Sequence, residues 1–192
     1  SGLFFITGDE TMGHTECNFK REELMPNVHF SAVTDKKFKF DRITVCLIMP
    51  MDRQKVTVNA LVPFLLRRSC EKYPDFTALN KKLGELYGAI LDADVGKFGA
   101  HQVLNVLIQG IDDRFSLENE SLTEEYAKLL SDMLFYPDFE NGAFKQEAVN
   151  IEKQSLKDLI ESEINEKRTY AISQCIQSMF EGSEFAVKKY GY

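Results

Sequence analysis

The chain has 192 residues, of which 44% are hydrophobic and 28% charged, and it carries a formal charge of −7. That balance suits one domain with a real core, or two very small ones. It argues against a nucleic-acid binder: phosphate contacts need a basic face, and the basic residues form only pairs such as Lys36-Lys37 and Arg67-Arg68.

Apolar runs such as Ile43–Met51 are too short to cross a bilayer, and Leu3–Ile6 lacks the basic start and length of a signal peptide. The expectation is a soluble, cytoplasmic protein. Cys17, Cys46, Cys70 and Cys175 lie far apart without a CxxC pair, which fits reduced thiols, with Cys46 and Cys70 acting as small core residues.

Residues 1–18 show no periodicity, and residues 1–26 are expected to be leader or flexible tail. His14 and Cys17 form an HxxC pair, two possible ligands without two more. A single domain is expected over 27–192. His29–Thr34 alternates like a strand, Asp35–Lys37 reads as a turn, and Phe38–Met49 is a longer strand ended by Pro50.

Val56–Tyr73 takes helical spacing. Proline inside a helix costs about 3 kcal/mol, so Asn59 is expected as the N-cap, placing Pro63 in the first turn. A second helix, Phe76–Tyr87, ends at Gly88. Ala89–Lys97 and Ala100–Ile111 then read as strands joined at Phe98-Gly99, with Leu91, Ala93 and Val95 on a buried face and Asp92 and Asp94 on a wet one.

Helices follow over Leu122–Phe135, from near Gly142 to Asn165, and on to Phe180. The order of elements predicts an α+β fold, an antiparallel β-sheet with helices packed on one face.

Motifs for common chemistries are missing: the chain contains no GxSxG, GxxxxGK[ST] or GxGxxG. Gly96 and Gly99 flank Lys97-Phe98 but precede a strand, so a hairpin turn explains them better than a phosphate loop. Asp92 and Asp94 fit solvated strand positions better than a glycosidase pair. His29 and His101 sit on separate strands and form no i, i+4 pair.

Three stretches carry a family resemblance: Leu83–Ala89 (LGELYGA), Leu129–Phe139 (LLSDMLFYPDF) and Ala143–Ile160 (AFKQEAVNIEKQSLKDLI). In this order and spacing they resemble the N-terminal domain of the pitrilysin/insulinase (inverzincin) metallopeptidases, over about Asn27–Tyr192. Asn141–Phe144 and Tyr190-Gly191 add a likeness to a non-catalytic bacterial subgroup, YfmF-like, usually encoded beside a catalytic homologue.

Catalytic members carry HxxEH on a helix, two histidines gripping zinc and a glutamate activating the bound water, with a later glutamate completing the site. Aligned with that motif, this chain has Pro63 for the first histidine, Leu66 for the base and Arg67 for the second histidine. Glu147 matches the family's earlier helical glutamate, which puts Gln154 at the ligand position. No HxxEH, HxxxH or HxxE occurs anywhere in the chain. A permanent cation about 4 Å from a divalent ion would repel each unit of charge by roughly 4 kcal/mol at an effective dielectric near 20.

The resemblance therefore implies a zinc-free peptidase homologue with no cofactor. It would be a peptide-holding or chamber-forming subunit, first of two domains, in a heterodimer with an HxxEH-bearing partner. The expected peptide-binding edge is Val95, Gly96, Lys97, Phe98, Gly99, Ala100, His101 and Gln102, acting by β-strand addition. The alternatives are an active zinc endopeptidase with an unrecognised site and a purely structural dimerisation module.

Overall fold

The computed structural model describes residues 18–191. A three-stranded antiparallel sheet is its centre, built from β3 (Phe40–Pro50), β4 (Ile90–Phe98) and β5 (His101–Ile111) in the spatial order β3-β5-β4. A separate hairpin, β1 (Asn18–Met25) with β2 (Val28–Thr34), precedes it. The helices are α1 (Val56–Leu66), α2 (Phe76–Glu85), α3 (Leu122–Phe135), α4 (Gln146–Ser162) and α5 (Lys167–Met179). No described helix is long and apolar enough to cross a membrane.

Alternation along the strands sets the two faces. The register places Ile43, Val45 and Leu47 of β3 level with Ile108, Val106 and Leu104 of β5. Leu91, Ala93 and Val95 of β4 continue the same rows. This face carries the helices. Tyr126, Leu129, Leu130 and Met133 of α3 join Ile43, Val45, Val106 and Ile108 in the main core cluster. Their spacing is one face of a helix, and burying each such side chain contributes about 1.5–3 kcal/mol. Ala60 of α1 and Leu156 of α4 form a second cluster with Val95 and Leu104, so α1 lies between the sheet and α4. On the other face Cys46, Ile48, Val103 and Leu107 are half-buried, while Asp92 and Asp94 are exposed. The α+β architecture with helices on one face is thus observed.

Several local expectations need correction. Residues 18–25, placed in the tail, form β1, whose side chains are all exposed. Without a buried face the strand shows no apolar alternation, so its pairing with β2 left no trace in the sequence. His14 and Cys17 lie outside the described residues.

Helix α1 begins at Val56, and Asn59 donates to Met49 Sδ instead of capping it. Pro63 therefore sits inside α1, its ring buried. Proline also leaves no N–H for the preceding turn, and the helix stops at Leu66. Beyond it Cys70 bridges to Tyr73 and Pro137.

Asn141-Gly142 does not begin a helix. Both residues have positive φ (54° and 77°) and turn a small hairpin between β6 (Phe139–Glu140) and β7 (Ala143–Phe144). That is the preferred chemistry of a two-residue hairpin loop. Likewise the β4–β5 turn falls at Gly99-Ala100, one residue later than expected, with Gly99 at φ 58°.

Candidate functional site

The end of α1 carries two adjacent arginines that diverge. Arg67 Nη1 lies 3.0 Å from Asp92 Oδ1 on β4, and its guanidinium stacks near the Phe64 ring. Arg68 Nη1 lies 2.8 Å from Glu152 Oε1 on α4. Glu152 is 7% exposed, so this ion pair ties α1 to α4 from within the fold. Both arginines line a cleft of about 580 Å³ with Leu79 of α2, Leu91 of β4, and Glu147 and Ile151 of α4.

Pro63 and Leu66 are buried and offer no polar atom to this cleft. Gln154 is exposed and donates to Asp158 Oδ1, one turn along its own helix. The α4 residue that meets the end of α1 is therefore Glu152, not Gln154. The helical spacing Val149, Glu152, Leu156, Ile160 carried that signal, since the residues i, i+3, i+7 and i+11 share one face. Among the described residues, no three His, Cys, Asp or Glu side chains gather as they would around a metal ion.

The expected peptide-binding edge divides between two strands. Val95, Gly96, Lys97 and Phe98 lie on β4, which pairs with β5 on one side and with no strand on the other among the described residues. Gly99 and Ala100 form the turn. His101 and Gln102 open the central strand β5, paired with Phe98 and Lys97 on one side and with Pro50 and Met49 on the other. Gln102 is 1% exposed, and its side-chain amide donates to the Val56 carbonyl (2.8 Å) and the Lys189 carbonyl (2.9 Å). These two residues are internal, not edge.

Residues of α4 line cavities at both ends of β4. At one end lies the polar cleft with Leu91. At the other, Gly96 and Lys97 border a mostly apolar groove of about 630 Å³ walled by Leu159, Ile160, Ile172, Ile176 and Val187. Lys97 Nζ donates to the Phe185 and Val187 carbonyls, and burial pushes its ammonium below its ordinary pKa.

The site is an α+β sheet with one open edge, beside which the end of α1 holds two ion pairs, Arg67–Asp92 and Arg68–Glu152. The chain is 29% identical over 155 residues to the "Probable inactive metalloprotease YmfF" of Bacillus subtilis (strain 168), a match covering 81% of this chain and 36% of that protein.

Its structure matches the crystal structure of a conserved protein from Enterococcus faecalis V583 with a TM-score of 0.81 and 26% identity, over 91% of this chain and 41% of the other. No family model matches. The chain thus spans well under half the length of the relatives it matches. It is similar to a protein named as a probable inactive metalloprotease, in keeping with the non-catalytic subgroup that its sequence resembles.

Proposed function

We propose that this non-catalytic metallopeptidase homologue holds extended peptides along the free edge of β4, as one wall of a chamber closed by an HxxEH-bearing partner. The observation that supports the reading is the position of β4. Its outer side is unpaired among the described residues, and its two ends border the polar cleft and the apolar groove. An extended chain laid there gains main-chain hydrogen bonds, while the flanking clefts select its side chains. Peptide-holding without cleavage follows from Leu66 and Arg67, which can neither activate a water nor ligate a cation. In this reading the domain over 27–192 is the first of two in a longer subunit.

The test is a fluorescence-anisotropy titration of a labelled peptide of alternating valine and threonine, with and without an HxxEH-bearing homologue. Saturation by this chain alone supports the wall role. Saturation only with both proteins present moves the groove to their interface. No binding in either case overturns the reading.

A further inference from the structure

The open edge of β4 carries a side-chain plug. In an antiparallel ladder only alternate residues exchange bonds with a given neighbour, so on an edge strand the remaining N–H and C=O groups face outward. The Ala93 N–H donates to Asp92 Oδ1 at 2.8 Å. That same oxygen accepts from Arg67 Nη1 at 3.0 Å. Asp92 is thus turned back along its own strand and fixed there by a cation from the end of α1. A main-chain donor already holding a carboxylate is closed to an incoming strand, and charge-assisted bonds are the stronger kind.

Farther along the strand the pattern differs. Lys189 approaches Asp94 only to 3.9 Å, and Gly96 has no side chain with which to cover its neighbours. The edge is therefore closed at its Arg67 end, whereas toward Gly96 it borders the apolar groove.

From this geometry we infer that Arg67 and Asp92 form a gate on the β4 edge, which an extended peptide must displace to pair with Ala93. The inference rests on the peptide-holding reading and deepens it. Arg67 acquires a role of its own: a cation at the end of α1 that controls how much of the edge is available. Peptides that pair only near Gly96 bypass the gate, whereas longer ones must open it.

The test compares the chain with Asp92→Ala and Arg67→Gln by two measurements. Amide hydrogen exchange followed by NMR reads the plug itself. Ala93 is expected to exchange faster in Asp92→Ala, with the rest of β4 unchanged. Peptide anisotropy reads the gate: Asp92→Ala is expected to bind the valine–threonine peptide about threefold to tenfold more tightly, the worth of one freed main-chain hydrogen bond. Arg67→Gln is expected to fall between.

Unchanged exchange at Ala93 overturns the plug whatever the peptide does. Faster exchange with equal affinity overturns the gate and leaves the peptide-holding reading standing. Faster exchange with no peptide bound by any of the three proteins overturns that reading, and the gate with it.

Discussion

Arg68 and Glu152 stand 84 residues apart in sequence and meet at 2.8 Å, joining the end of α1 to the buried face of α4. The pair lies where those two helices border the polar cleft, so it helps set the cleft's width. Removing the half-buried Arg68 strands the buried Glu152 charge. Arg68→Met is expected to cost about 1–3 kcal/mol in urea unfolding. Adding Glu152→Leu is expected to recover much of that loss, because a packed apolar pair replaces the ionic one. A single variant as stable as the parent would show that the pair carries no structural weight.

Gly110 on β5 lies directly beneath Tyr126. A Cβ there would sit 2.2 Å from the tyrosine hydroxyl oxygen and 2.4 Å from Cζ. Tyr126 is fully buried, so the ring has nowhere to retreat. Gly110→Ala is expected to destabilise by about 1–3 kcal/mol or more, the usual cost of overpacking a tight core, read as a lower thermal midpoint. Gly84 offers the control, since nothing lies within 4 Å of a Cβ built there. Gly84→Ala inside α2 is expected to leave stability unchanged or raise it.

Tyr126 also predicts an alkaline transition. Burial is the main cause pushing its phenol up to about 12 from an ordinary value of 10.0, and the nearby Asp41 and Asp113 push the same way. The unfolded chain therefore loses this proton first. The stabilisation is complete below about pH 10 and is lost as the pH rises from there through about 12. The loss is on the order of 2 kcal/mol. In Tyr126→Phe the fall in stability across that window is expected to be shallower. Absorbance at the phenolate band is expected to show one tyrosine titrating last, and its absence from the variant identifies it.

Zinc analysis checks the loss of the metal set directly. After dialysis against trace zinc, the chain is expected to retain no stoichiometric metal, since Pro63, Leu66 and Arg67 provide no ligand and Gln154 faces solvent. A full equivalent would reopen zinc-dependent chemistry with ligands drawn from elsewhere in the chain.

The Asn141-Gly142 turn gives a local test. Gly142 sits at φ 77°, where a side chain is strained although no neighbour crowds it. Gly142→Ala is expected to cost about 1 kcal/mol or a little more. The loss is expected to appear as faster exchange in β6 and β7 rather than as global unfolding.

What the sequence revealed depended on whether a residue answers to local rules or to distant partners. The alternation of Leu91, Ala93 and Val95 with Asp92 and Asp94 is a period-2 signal, and the structure keeps it. Helix α2 keeps its expected start at Phe76, where Asp75 accepts from the Ala78 N–H. In contrast, β1 has no buried face, so nothing in its own residues marks it as a strand.

Pro63 misled for a different reason. Burial of its ring in α1 outweighs the local cost of proline, and tertiary packing leaves no sequence signature of that kind. Gln154 follows from its spacing to Glu147 in the motif, and it lies on the exposed side of α4, while Glu152 faces α1. The Arg67–Asp92 contact spans 25 residues and two elements, and no pattern within either predicts it.

Because the helices lie on one face of the sheet, successive residues of β5 serve different masters. Leu104, Val106 and Ile108 point into the core, and a polar replacement at any of them threatens folding. Val103, Asn105 and Leu107 point the other way and are half-buried. A saturation scan along this strand should therefore oscillate from one position to the next in its tolerance of polar substitution. The permissive positions are the ones at which substitution can rewrite the outer surface of the sheet without first rebuilding how the chain folds.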